Sequence, residues 1–167
     1  MAYDLKKSPG HLLRRAQQYA HDLHATAVGA DGPTPRQFEV LHVVSKNDGL
    51  SQTDLVNATG IDRSTLADMI ARMLKKGLLS RSRTKEDARA NAVSITASGK
   101  RALAGAMAAV TKADNGALAV LPKSHQGAFL KALAAYAEAL DAMGEAPAKK
   151  PAKAKKKATR KKARGKR

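Results

Sequence analysis

Arg63, Ser64, Thr65, Asp68, Arg72 and Lys75 are spaced to share one side of a helix whose other side carries Leu66, Met69, Ile70, Met73 and Leu74. Helical periodicity separates the two sets, giving one apolar face and one face of hydroxyls and charges. The chemistry such a face offers is recognition. Guanidinium groups suit the paired acceptors of guanine, and hydroxyls suit phosphates or several bases. Asp68 is repelled by phosphate; it is expected to orient a neighbouring basic side chain or to accept from a cytosine amino group. The plainer alternative is a solvated helix face. A second polar cluster, Arg81, Arg83, Lys85, Asp87 and Arg89, falls around the loop 83–90. Bond-making chemistry finds no such support. There is no nucleophile motif, phosphate-binding glycine loop or pair of catalytic carboxylates, and no cysteine for thiolate or redox chemistry. No enzyme and no cofactor are expected. His21 and His24 stand three apart, but no third ligand completes a metal spacing, so no metal is expected. His42, beside Phe38 and Leu41, is expected to pack in the core.

The elements that position these residues are mainly helical. Leu12, Ala16, Ala20, Leu23 and Ala27 give an amphipathic first helix ending near Gly29. Thr34 and Pro35 read as N-cap and first residue of a second helix, with Phe38, Leu41, His42 and Val44 inward and a stop at 47–49. Ser51 and Asp54 form a capping box for a short helix closed by Thr59-Gly60, and Asp62 caps the next, ended by Gly77. Two short helices around a glycine-containing turn are a helix-turn-helix signature. On that reading Ser51 and Gln52, opening the first of the two, join the DNA contacts. Residues 78–82 and 92–95 read as two short strands flanking the polar loop. A further helix is expected from Thr96 toward Leu121, weakened at Asn115-Gly116, and Pro122 opens the last one. There Phe129, Leu133, Tyr136, Leu140 and Met143 form a narrow apolar seam of the coiled-coil type.

Composition sets the partners. The 167 residues hold 31 basic and 14 acidic side chains, a formal net charge of +17. Such an excess points to a polyanion. No apolar run reaches the roughly 18 residues of a membrane span, so no membrane partner is expected. No apolar segment follows Lys6 and Lys7, so a secretory signal is not expected either. Twelve of the basic residues, and no acidic one, lie in 146–167, where everything else is Ala, Pro, Thr or Gly. Without a large apolar side chain this stretch is expected to be disordered on its own.

The order of these elements resembles the multiple antibiotic resistance regulator (MarR) family of winged-helix transcription factors. The resemblance is carried by 34–38, 51–55, Thr59-Gly60-Ile61-Asp62-Arg63-Ser64-Thr65-Leu66, 74–79, Arg81-Ser82-Arg83, Asp87-Ala88-Arg89-Ala90 and 94–100. It covers about residues 10 to 143; the tail lies outside the usual pattern and resembles linker-histone tails instead. The resemblance implies a mainly α fold with a small β-hairpin wing, a winged helix-turn-helix in a dimeric MarR-like architecture. Its divisions are a dimerisation helix in 1–33, the DNA-binding region in 34–96, dimerisation helices in 97–144 and a basic tail in 145–167. The implied molecule is a cytoplasmic bacterial homodimer that represses from an operator in double-stranded DNA and is released by a small, often aromatic ligand. The helix at 62–76 would enter the major groove. Asp87 would shape the wing and Arg89 reach the minor groove, with Arg81, Arg83 and Lys85 on phosphates. For the effector, the facing surfaces of the first two helices offer Tyr19, His24, Phe38 and His42. The alternative is a nucleoid-associated, architectural DNA-binding protein dominated by the tail.

Overall fold

The computed structural model describes residues 3–83 and 91–144. After a short 3-10 turn come α1 (Pro9–Val28), α2 (Pro35–Lys46), α3 (Gln52–Thr59) and α4 (Arg63–Lys75). The strands β1 (Leu79–Arg83) and β2 (Asn91–Ile95) follow, then α5 (Ala97–Ala119) and α6 (Lys123–Gly144). The loop 84–90, with Lys85, Asp87 and Arg89, and the tail 145–167 lie outside the described residues.

Local signals set the helix starts. Thr34 and Gln37 cap α2 reciprocally, Pro35 occupies its first turn, and Ser51 and Asp54 do the same for α3. Each arrangement satisfies amide donors that the first helical turn leaves unpaired. The core then forms where α2, α3, α4, the hairpin and the first turns of α5 converge. Val40, Leu41, Leu55, Ile61, Leu66, Ile70, Met73 and Val93 are fully buried there. At roughly 1.5–3 kcal/mol for each large apolar side chain removed from water, this cluster dominates the favourable side of folding. The strands pair antiparallel with Arg81 opposite Val93, and Leu50 bridges to Val93 on β2's other edge. Thr96 fastens the hairpin to α5. Its hydroxyl donates to the Gly77 and Leu78 carbonyls and accepts from the Gly99 amide. A Cβ at Gly99 would collide with the Leu78 carbonyl oxygen, so this close approach requires glycine.

Several expectations need correction. The first strand begins at Leu79 rather than at 78, because the Leu78 amide donates back to the Met73 carbonyl of α4 instead of across the ladder to Thr96. Helix α5 continues unbroken through Asn115-Gly116, where Gly116 faces Leu23 of α1. Tertiary packing outweighs the cost of a mid-helix glycine, about 1 kcal/mol against alanine. His42 is exposed and stacked on half-buried Phe38, with ring centroids 6.2 Å apart. The inward face of α2 is Val40, Leu41 and Val44, so the phase of the helix turns His42 outward. The buried histidine is His24, whose Nε2 lies 2.9 Å from the Pro33 carbonyl oxygen.

Helix α6 stands apart. None of its described residues is buried, and Phe129, Leu130, Leu133, Tyr136, Leu140 and Met143 are all exposed. Leu12, Leu13 and Tyr19 on α1 are exposed as well.

Candidate nucleic-acid interface

The α3–α4 corner is built from its caps inward. Gly60 ends α3 with φ 64°, a left-handed conformation that costs glycine no Cβ clash. Ile61 then drops into the core, which fixes where α4 begins. Asp62 caps α4, accepting from the Thr65 amide at 3.0 Å and the Ser64 hydroxyl at 2.7 Å. These hydrogen bonds hold the Asp62 carboxyl well below the usual carboxylate range, and Ser51 does the same for Asp54. Arg63 Nη2 donates to Thr53 Oγ1 at 3.1 Å, tying the start of α4 to α3.

Leu66, Met69, Ile70 and Met73 turn inward from α4, leaving Arg63, Ser64, Thr65, Asp68, Arg72 and Lys75 exposed. The structure thus brings together every α4 residue singled out from the sequence. Ser51 and Gln52 lie half-buried at the start of α3. Ser64 is already occupied. Its one proton goes to Asp62, and phosphate oxygens only accept, so this hydroxyl reaches a phosphate as donor only by leaving the cap. Arg81 is exposed on β1, and Arg83 is the last residue of that strand.

Charge is concentrated on this region. Residues 63–89 contain 8 basic and 3 acidic side chains, while the rest of 1–145 contains 11 of each. All of the net positive charge before the tail therefore belongs to α4, the hairpin and its loop.

Behind the corner lies a cavity of about 850 Å³. The scaffold supplies Arg14, His21 and His24 from α1, Arg36 and Glu39 from α2, and Asp114 from α5. The opposite wall comes from Thr59 and Gly60 at the end of α3 and Met69 of α4. Glu39 keeps contact with solvent, but the adjoining wall strips part of its hydration and pushes its carboxyl up. Arg36 and His24 oppose that shift and Asp114 adds to it. Of the four residues considered for an effector, His24 lines this cavity; Tyr19, Phe38 and His42 are not among its lining residues. Arg14 and Arg36 are not singled out by the sequence reading, and His21 is weighed there only as a metal ligand. The signal available was the three- and four-residue spacing of Arg14, Gln17, Gln18 and His21 on one side of α1. Among the described residues no three His, Asp or Glu side chains converge as a metal site, and no helix is long and apolar enough to cross a membrane.

Comparison with known proteins now decides the assignment. Residues 31–90 match the MarR family. A Thauera aromatica protein, named for transcriptional regulation of the hcr operon, is 33% identical over 122 residues, 72% of this chain and 74% of that one. The chain belongs to the MarR family. Among solved MarR-like structures, the PcaV transcriptional regulator of Streptomyces coelicolor, in complex with its natural ligand, superposes with a TM-score of 0.75 at 30% identity. The match covers 84% of this chain and 99% of PcaV. The transcriptional repressor CouR bound to a 23-mer DNA duplex gives a TM-score of 0.71 at 28% identity, covering 82% and 99%. This MarR-family chain is accordingly a winged-helix, DNA-binding transcriptional regulator, and its relatives are regulators rather than enzymes.

Proposed function

We propose that this MarR-family regulator is a homodimeric repressor, acting in the bacterial cytoplasm, that a small anionic ligand releases from a pseudo-palindromic operator. One observation carries the reading. The cavity, lined by Arg14 and Arg36 as well as Glu39 and Asp114, has scaffold helices on one side and the α3–α4 corner on the other, with Met69 belonging to the same helix that exposes Arg72 and Thr65. A ligand that fills the cavity bears on the reading helix, and its differential affinity for two positions of that corner shifts the population between them. Arg14 and Arg36 offer guanidinium forks to a carboxylate, Glu39 and Asp114 accept from a ligand that also carries a donor, and Met69 offers apolar contact.

In the DNA-bound state α4 occupies the major groove. Arg63, Thr65 and Arg72 approach base edges, Asp68 orients its basic neighbours, and Gln52 and Lys75 hold the backbone, joined by Ser51 and Ser64 once their hydroxyls turn from Asp54 and Asp62. Arg81 and Arg83 set the hairpin on phosphates together with Lys85, while Asp87 shapes the wing and Arg89 enters the minor groove. Residues 1–33 and 97–144 form the dimer and 34–96 the reader. CouR bound to DNA and PcaV bound to its ligand support both halves of the scheme.

The test begins with genome-wide mapping of bound sites, followed by affinities for a mapped site and for unrelated DNA at one stated salt concentration. A ratio of at least about 10³ is expected of a specific regulator. A ratio near unity would instead mark an architectural protein. Aromatic carboxylates should lower operator affinity in the native chain, and Arg14→Ala should lose that response while still binding the operator.

A further inference from the structure

We infer that residues 146–167 form a second, sequence-independent DNA contact that sets binding strength and its salt dependence while leaving base discrimination to α4 and the wing. Three observations support it. Among the described residues, the buried apolar core lies between Val40 and Ala113, and the last helix ends at Gly144. The stretch carries 12 basic residues and no acidic one, against a net charge of +5 for all of 1–145. It also contains no aromatic residue to stack on bases and no Asn, Gln, Asp or Glu to pair with base edges. Charge is its main recognition chemistry; its Lys and Arg residues and Thr159 are the groups able to bond base edges.

The partner that fits is the phosphate backbone of the DNA already engaged by the reader. An anionic membrane is the other polyanion in reach, but the stretch offers no Leu, Ile, Phe or Trp to insert. Covalent geometry bounds its span. The 23 residues beyond Gly144 extend at most about 80 Å, at roughly 3.3–3.6 Å per residue. That length allows contact with phosphates beyond those that α4 and the hairpin touch. Each phosphate neutralised releases counterions and adds about −0.9 to the slope of log affinity against log salt. Engaging about four phosphates adds roughly −3.6 to the slope, a further loss of about 150-fold between 50 and 200 mM salt. Engaging all twelve charges would set an upper limit near −11.

The experiment compares the native full-length chain with a full-length variant in which all twelve Lys and Arg residues of 146–167 are Gln. A second variant ends at Gly144. Each is titrated with salt on a random-sequence duplex, on a duplex carrying a mapped site, and against vesicles containing phosphatidylserine. Both variants should flatten the slope by several units equally on the two duplexes, with the ratio of their affinities unchanged. An unchanged slope would overturn the inference. So would loss of site preference, which would make the stretch a specificity element, or loss of vesicle binding with duplex binding intact. The random-sequence arm needs no operator, so its outcome stands apart from the repressor reading above.

Discussion

Helices α4 and α6 make opposite use of their apolar residues. Helix α4 spends its apolar stripe within the chain, burying Leu66, Met69, Ile70 and Met73, and so frees a complete polar face for a partner. Helix α6 buries none of its described residues, and Phe129, Leu133, Tyr136 and Leu140 remain 38–53% exposed. A stripe that is apolar and uncovered is a surface made for another surface. The first helix makes sense in one copy of the chain; the second makes sense in two. In the dimer proposed above, a two-fold pairing through α6 and the exposed side of α1 would present two copies of α4 to DNA.

Breaking the α6 side should have the largest effect. In the double variant Phe129→Asp, Leu133→Asp each aspartate places an unpaired charge in the pairing surface, costing about 3–5 kcal/mol. Sedimentation should show monomers at micromolar concentration with helical content kept, and operator affinity should fall by more than about 100-fold. Breaking the buried side of α4 comes next. Ile70 is fully buried, so Ile70→Ala should destabilise the fold by about 2–5 kcal/mol in urea melts. Its exposed side behaves differently. Arg72→Ala should cost about 1–3 kcal/mol in operator binding while leaving the melting curve in place. If Arg72→Ala moved stability and Ile70→Ala did not, the two faces of α4 would be assigned the wrong way round.

The smallest expected effect concerns the cap that aims the corner. Ser51→Ala should destabilise by about 1 kcal/mol at neutral pH. Ser51 holds the Asp54 carboxyl below its ordinary value in the folded state. The corresponding stability is therefore full above the unfolded value, about 3.9, and is lost as pH falls through the lowered folded value. Urea melts between pH 7 and pH 2 should show the native chain losing its advantage over Ser51→Ala on that acid limb. A constant difference across the range would detach the cap from Asp54.

Much of this was legible in the residues themselves. Caps are local chemistry, so Thr34, Ser51–Asp54 and Asp62 could be placed from spacing alone, while the return bond from Gln37 to Thr34 appears only in the structure. The reading face of α4 was legible because one helix period sorted its residues cleanly. Long-range packing was not. Nothing local shows that Gly116 meets Leu23, that Leu50 pairs with β2, or that α2 turns His42 outward and buries Val40. The cavity was the least legible feature, because its walls come from five helices and, of its lining residues, the sequence points to His24 alone for an effector. Arg14 and His21 stand some fifteen or more residues from Arg36 and Glu39 in the chain. Only folding turns them toward Arg36 and Glu39.

A two-fold dimer that reads DNA with paired α4 helices is tested most directly by half-site spacing. The two helices should sit about one DNA turn, roughly 34 Å, apart. Inserting five base pairs between the halves of a mapped operator rotates one half about 180° around the duplex axis without changing any base that α4 touches. Affinity of the native chain for the altered duplex should fall to that for unrelated DNA at the same salt. Undiminished affinity would mean that the halves are read independently, and the paired reading would be wrong.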